Sequence, residues 1–390
     1  MTIRKVESDR TALHKASILD TFYKIVISKL LSNVFDQDEF AVNDTSFYRD
    51  ILLTGSLGFG DSYMAGKWDH PHIDELIFQI LNLRSYHRTS KIYTIGKNVQ
   101  RYFSNLQNRK GAKKVIEEHY DLPVEFFQVF LGPNMKYSCL DFTGTDDIET
   151  AEIQSFRKVC EKLELKSGDK VIDFGGGWGG LARFMADEYG AIPTVVNLSK
   201  EQVKYIRKEH AGKVDVLECD YRELPDSYIG GYDAVSSIAM LEAIGSKNLN
   251  EYFDILSKAV KPNGNVLIHT IYTTGSAPSS NPWLDKHIFP NGELVSPQII
   301  QKEIKPFFIE IKDNKYPTFE ELTPHYITTL HTWKNRLEEA YRTKQIKITE
   351  EEYRKWIFYF MSCAGAFKAN HVGVGQFLYK KNEMVHNKRG

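Results

Sequence analysis

The chain has 390 residues, 42% hydrophobic and 26% charged, with a formal net charge of −1; this is globular composition, long enough for two domains. Such a balance excludes a wholesale electrostatic pull onto nucleic acid, and no apolar run approaches the roughly 18 residues of a membrane span. The opening MTIRKVESDR lacks the apolar segment of a secretory signal, and Cys139, Cys160, Cys219 and Cys363 lie far apart without CxxC spacing, which predicts a cytoplasmic protein with neither disulfides nor a metal site.

Residues 15–85 read as mostly helical, with apolar stretches at Ile25–Leu31 and Ile73–Leu83. Between them, Gly55-Ser56-Leu57-Gly58-Phe59-Gly60 reads as a glycine-punctuated turn, followed by Tyr63, Met64 and Trp68. Residues 86–115 are polar and basic, a connecting segment. The expected division is a mostly helical N-terminal domain with its linker (1–108) and a larger domain (109–390). Two local basic clusters, Lys97, Arg101, Arg109, Lys110, Lys113 and Lys114, then Lys380, Lys381, Lys388 and Arg389, suit anionic lipid headgroups or equally a solvated linker and tail.

From Lys170 strands and helices alternate. Strands are expected at Lys170–Phe174, Thr194–Leu198, Val214–Cys219, Tyr232–Met240 and Asn265–Tyr272, with helices at Leu181–Tyr189, Lys200–His210 and Leu249–Val260. Lys261-Pro262-Asn263-Gly264 reads as the turn closing the last of these helices. This spacing predicts an α/β fold, a parallel sheet with helices on both faces. Phe307–Asp313 and Gly375–Lys380 are late strands suited to an antiparallel edge. Thr349-Glu350-Glu351-Glu352 is a capping box opening the helix that carries Trp356–Phe367.

The densest motif is Asp173-Phe174-Gly175-Gly176-Gly177-Trp178-Gly179-Gly180, between a strand and a helix. Glycines admit a ligand close to the backbone, and the following helix N-terminus offers free N–H groups. Gly175, Gly177 and Gly180 also satisfy G-x-G-x-x-G, which by itself permits NAD or FAD. A dinucleotide requires an acid ending the second strand to hold the ribose, and that strand ends Val196-Asn197-Leu198-Ser199. The acid follows the third strand instead, at Asp220, a pattern favouring S-adenosylmethionine.

Several further segments resemble the cyclopropane-fatty-acid synthases in order and over nearly the full length. They are Gly55 to Met64, His119-Tyr120-Asp121-Leu122, Tyr137-Ser138-Cys139, Gly177-Trp178-Gly179-Gly180, Asp220-Tyr221-Arg222, His269-Thr270-Ile271, Asn281-Pro282-Trp283 through Gly292, and Cys363-Ala364-Gly365-Ala366-Phe367. The resemblance implies a Rossmann-like class I methyltransferase sheet, mostly parallel with an antiparallel edge. It also implies methylene transfer from S-adenosylmethionine to a cis double bond of a phospholipid acyl chain, with bound bicarbonate taking the proton that closes the ring. A homodimer at the inner membrane surface belongs to the same expectation.

Carried over by position, the resemblance places Glu242, His269, Tyr326 and the backbone of Cys139 and Ile271 around bicarbonate. Tyr137 and Ser138 would hold the amino-acid end of S-adenosylmethionine, Asp173, Gly175, Gly177 and Trp178 the loop around it, Leu198 and Gln202 the adenosine, and Asp220 and Tyr221 the adenine. Taken singly, Glu242 reads as a polar-network residue and His269 as a satisfied core histidine. Only the joint match assigns them and Tyr326 to chemistry, and Cys363 stays a buried wall residue.

Three segments depart from the family pattern. Ala243 follows Glu242 where His is usual, so another donor must orient Glu242 or the anion site weakens. Gly176 replaces a usual Cys, and Val195-Val196-Asn197-Leu198-Ser199 stands where Gly-Val-Thr-Leu-Ser is favoured, with Val195 expected to add bulk near the adenosine. Poor proton removal would give a methyl-branched or methylene product instead of a ring. Small-molecule N-methylation and a paralogue that binds without turnover remain the competing readings.

Overall fold

The computed structural model describes residues 23–26, 39–83, 123–311 and 315–382. The first basic cluster, His119–Leu122 and the boundary expected near residue 109 lie outside these residues.

The N-terminal part contributes a small antiparallel pair, β1 (Ala41–Val42) with β2 (Trp68–Asp69). Around it lie helices α1 (Ser46–Thr54), α2 (Ser56–Met64) and α3 (Ile73–Asn82). The glycine run is not one turn. Only Gly55 turns, at φ 59°, while Gly58 and Gly60 lie inside α2. A Cβ on Gly60 would strike the Trp283 indole, so this glycine serves close packing.

After α4 (Val124–Gln128), α5 (Ile148–Lys162) is capped by Asp147, which accepts from Thr150 N at 2.7 Å. The sheet begins with β3 (Lys170–Phe174), then α6 (Gly180–Tyr189), β4 (Ile192–Asn197), α7 (Lys200–Glu209), β5 (Asp215–Glu218) and β6 (Tyr232–Ile238). Next come α8 (Leu241–Ile244), α9 (Leu249–Ala259), β7 (Val260–Thr273), α10 (Pro282–His287), α11 (Pro297–Ile304), β8 (Phe308–Glu310), β9 (Phe319–Glu321), α12 (Thr323–Arg342), α13 (Glu350–Lys368) and β10 (Val372–Lys381).

Strand order is β5-β4-β3-β6-β7-β10-β8, with β9 also on β10. Pairings from β5 to β7 are parallel, and those of β10 with β7, β8 and β9 are antiparallel. This is the α/β sheet with an antiparallel edge that the sequence predicts. Thr349 caps α13 as expected, accepting from Glu352 N at 3.1 Å.

Two other expectations change. Residues 261–264 do not separate helix from strand; β7 starts at Val260 and carries them as a bulge. Val260 pairs with Tyr232 and Asn265 with Ala234, with Asn263 at φ 60° between. Lys381 leaves the basic tail cluster: it is buried, and its Nζ donates to Val260 O at 2.8 Å.

The N-terminal helices share one hydrophobic core with α10, α12 and α13, joining Phe47, Phe59 and Trp68 to Trp283, Trp333, Trp356 and Phe358. Arg354 of α13 ties them in polar terms. It donates to Tyr63 O at 2.5 Å and Trp68 O at 2.8 Å, pairs with Asp69 at 2.8 Å, and covers the Tyr63 ring.

Candidate active site

The carboxyl ends of β3, β4, β5 and β6 converge on a cavity of about 210 Å³, at the point where strand order reverses and open α/β sheets bind ligands. Every residue expected to hold the cofactor lines it: Tyr137, Ser138, Asp173, Gly175, Gly177, Trp178, Leu198, Gln202, Asp220 and Tyr221. The loop leaves β3 through Gly175, Gly177 and Gly179, all at positive φ, and enters α6. Asn197 braces it, donating to Gly177 O at 3.0 Å and to Gln202 Oε1 at 2.9 Å.

Charges around the cavity are strongly placed. Burial raises the Asp173 carboxyl to about 6, although Ser236 donates to it at 2.6 Å. Burial lowers Lys136 to about 8, and its ammonium donates to the Ser138 hydroxyl. Asp220 accepts from Arg222 N at 2.9 Å and Arg222 Nη1 at 3.0 Å; a carboxylate has about four acceptor positions, leaving capacity for an amino donor.

Sequence reasoning missed Lys136, which adjoins the Tyr137-Ser138 segment, and three strained positions. Met135, Ala239 and Asn291 line the same cavity at φ 56°, 55° and 61°. Left-handed backbone in residues other than glycine concentrates at functional sites, and no composition signal announces it.

A second group borders this cavity beside the aromatic core. Ser138 and Ala243 line the cavity, whereas their chain neighbours Cys139 and Glu242 do not. Glu242 is partly exposed as a residue, yet its Oε2 is sealed and has no partner among the described residues. Its Oε1 accepts from Ile271 N at 2.6 Å. Burial raises this carboxyl to about 6, against the pull of that N–H. Ile271, whose backbone was expected around bicarbonate, thus gives its N–H to Glu242.

Tyr326 is held well above the ordinary phenol range by burial, with Tyr137, Cys363, Cys139 and Glu242 adding to it. Its ring lies 5.1 Å from Phe367 and 6.2 Å from Trp333. His269 is buried and held well below its usual range, first by desolvation and then by the charges of Lys136 and Lys162. Burial pushes both Cys139 and Cys363 up to about 12. A thiol so raised is no thiolate nucleophile; Cys363 is half-buried and does not line the cofactor cavity.

The family model for mycolic acid cyclopropane synthetases matches residues 107–377. The chain belongs to this family. It is 33% identical over 383 residues to the cyclopropane-fatty-acyl-phospholipid synthase of Escherichia coli K12, covering 95% of this chain and 97% of that one. It is 36% identical over 287 residues to a probable fatty acid methyltransferase of Pseudomonas putida, covering 70% and 71%. The solved cyclopropane synthase MmaA2 of Mycobacterium tuberculosis superposes with a TM-score of 0.61 at 26% identity, over 69% of this chain and 98% of that one. Coclaurine N-methyltransferase, at TM-score 0.65 but 18% identity, shares the fold. Membership makes the chain an S-adenosylmethionine-dependent methyltransferase, and the dinucleotide reading falls.

Against the family pattern, two departures compensate each other. Val195 does not border the adenosine side; it is buried in a small core with Ala182, Ile206 and Val214, while Val196 faces the cavity. A Cβ on Gly176 would lie 2.9 Å from Val195 Cγ1 and 2.7 Å from Asp173 Oδ2. The larger residue at 195 therefore fills space that a side chain at 176 would need.

Proposed function

We propose that the chain transfers the methyl carbon of S-adenosylmethionine to a cis double bond of a phospholipid acyl chain and closes it to a cyclopropane ring. The observation that carries this reading is the sealed Glu242 carboxyl, with one oxygen unclaimed, between the cofactor cavity and the aromatic core. The full-length similarity to a cyclopropane-fatty-acyl-phospholipid synthase supports it. The alkene π pair forms the new C–C bond as the S–CH₃ bond breaks, leaving a carbocation. Loss of a proton from the added methyl then closes the ring.

Aromatic faces such as Tyr326 and Trp333 suit the cation, and their burial keeps water from it. The orphaned Glu242 Oε2 fits the hydroxyl of bicarbonate. Neutral His269 and Tyr326 fit its oxygens as donors. When bound, that anion supplies the proton acceptor. Glu242, His269 and Tyr326 orient it, while Tyr137, Ser138 and the glycine loop hold the methyl donor. The substrate takes the chain to the inner face of a membrane from the cytoplasm, as a homodimer; no helix of the described residues is long and apolar enough to cross one.

Expression in a host without cyclopropane lipids tests the proposal by acyl-chain mass. One added CH₂ per unsaturated chain is expected, and soluble enzyme without that gain refutes it. Ala243 and the Pseudomonas putida relative favour one second reading, methyl transfer without closure. Proton NMR separates the products, because cyclopropane protons resonate far upfield.

A further inference from the structure

We propose that Lys162 and Gln376 fix the tautomer of His269, leaving its single proton on Nε2. His269 of β7 pairs directly with Gln376 of β10, and Gln376 pairs with Glu320 of β9. Directly paired residues on one face of a sheet lie within side-chain reach, so these three form a row across the antiparallel edge. Lys162, buried at the end of α5, meets the row: its ammonium pairs with Glu320 and donates to Gln376 Oε1 at 2.5 Å. Lys158, one turn earlier, bonds Glu320 at 3.2 Å and Asp141 at 2.6 Å. Burial alone would raise the Glu320 carboxyl, yet these lysines hold it low, as an ion-paired carboxylate should be.

The chain of donors has one consistent direction. An ammonium only donates, so Gln376 must turn its carbonyl oxygen to Lys162. Its amide nitrogen then faces His269 Nδ1, at 3.1 Å. That nitrogen also only donates, so Nδ1 must present a lone pair. Because burial and two nearby ammonium groups keep the ring neutral, its one proton sits on Nε2. A reversed amide would set two donors against each other in a buried place. The opposite tautomer would make Nε2 an acceptor and repel an anion's oxygen. Lys162 and Gln376 are positioning residues for His269, and their catalytic consequence rests on the bicarbonate reading above.

Two-bond ¹H–¹⁵N spectra of the full chain labelled with ¹⁵N-histidine test this, with His269 assigned by the signal lost in His269→Asn. The expected wild-type pattern is an unprotonated Nδ1 and a protonated Nε2. Gln376→Glu presents a carboxylate to Nδ1 and should place a proton there, lowering kcat about 100-fold with KM for S-adenosylmethionine unchanged. Lys162→Met frees the amide to flip and should give mixed tautomers. A wild-type ring protonated on Nδ1, or a Gln376→Glu spectrum identical to wild type, overturns the proposal. If the variants fail to fold, the wild-type spectrum alone decides. Bicarbonate added to the same sample should shift the Nε2–H signal. A Nε2-protonated ring that ignores bicarbonate supports the tautomer assignment and removes the anion reading.

Discussion

Replacing Glu242 by Gln should make the cofactor-free protein more stable and the enzyme far slower. The amide keeps an oxygen for Ile271 N–H, so the 2.6 Å bond survives, and an NH₂ takes the place of the unclaimed Oε2. Burial raises the native carboxyl from 4.5 to about 6, so ionising it in the folded state costs about 2 kcal/mol. A carboxyl raised on folding contributes stability that is present below about pH 4.5 and lost as pH passes about 6. Glu242→Gln should therefore resemble wild type near pH 3.5 and exceed it by about 2 kcal/mol at pH 8. With unfolding entropy of about 2.1 cal/mol/K per residue over 390 residues, the gain is about 2 °C in Tm, readable by scanning calorimetry of the apo protein. Loss of the carboxylate should lower kcat about 10²- to 10⁴-fold while leaving cofactor affinity intact. A variant less stable at pH 8, or one losing kcat and affinity together, would refute the reasoning.

Gly176→Cys should destabilise by about 1–3 kcal/mol through overpacking against Val195. In Val195→Gly background the same change should cost at least about 1 kcal/mol less, a coupling read from Tm shifts in a double-mutant cycle; strict additivity would show that the two sites do not share space. Lys136→Met should weaken S-adenosylmethionine binding by calorimetry about 10- to 100-fold, the value of a hydrogen bond from a charged donor. Unchanged affinity would place the ammonium away from the bound amino acid.

The cofactor half of the site was legible because it is local. Lys170–Phe174 is a short apolar run, the glycines follow it, and Asp220 follows a strand, so all sit at strand ends whichever way the sheet is ordered. The row His269–Gln376–Glu320 was not legible, because it depends on pairing residues 107 and 56 positions apart and on Lys162 from a helix outside the sheet. Gly58 and Gly60 misled for a related reason: glycine in a packed helix and glycine in a turn look alike until the partner is known, here Asp50 and Thr54 for Gly58 and Trp283 for Gly60. Val195 was misplaced because a strand buried on both faces has no alternation to say which side chain meets the ligand.

The way α13 is held has a consequence for how the chain divides. The family model begins at residue 107, which invites a shortened protein starting there. Such a cut would remove the Tyr63 and Trp68 carbonyls that Arg354 holds, together with Asp69. It would also uncover Trp283 and Phe358, which pack on Gly60 and Phe59. In this molecule the first helices pack as a wall against the part the family model covers, so a fragment starting at residue 107 is expected to unfold at a lower temperature than the full chain, as calorimetry of the two would show.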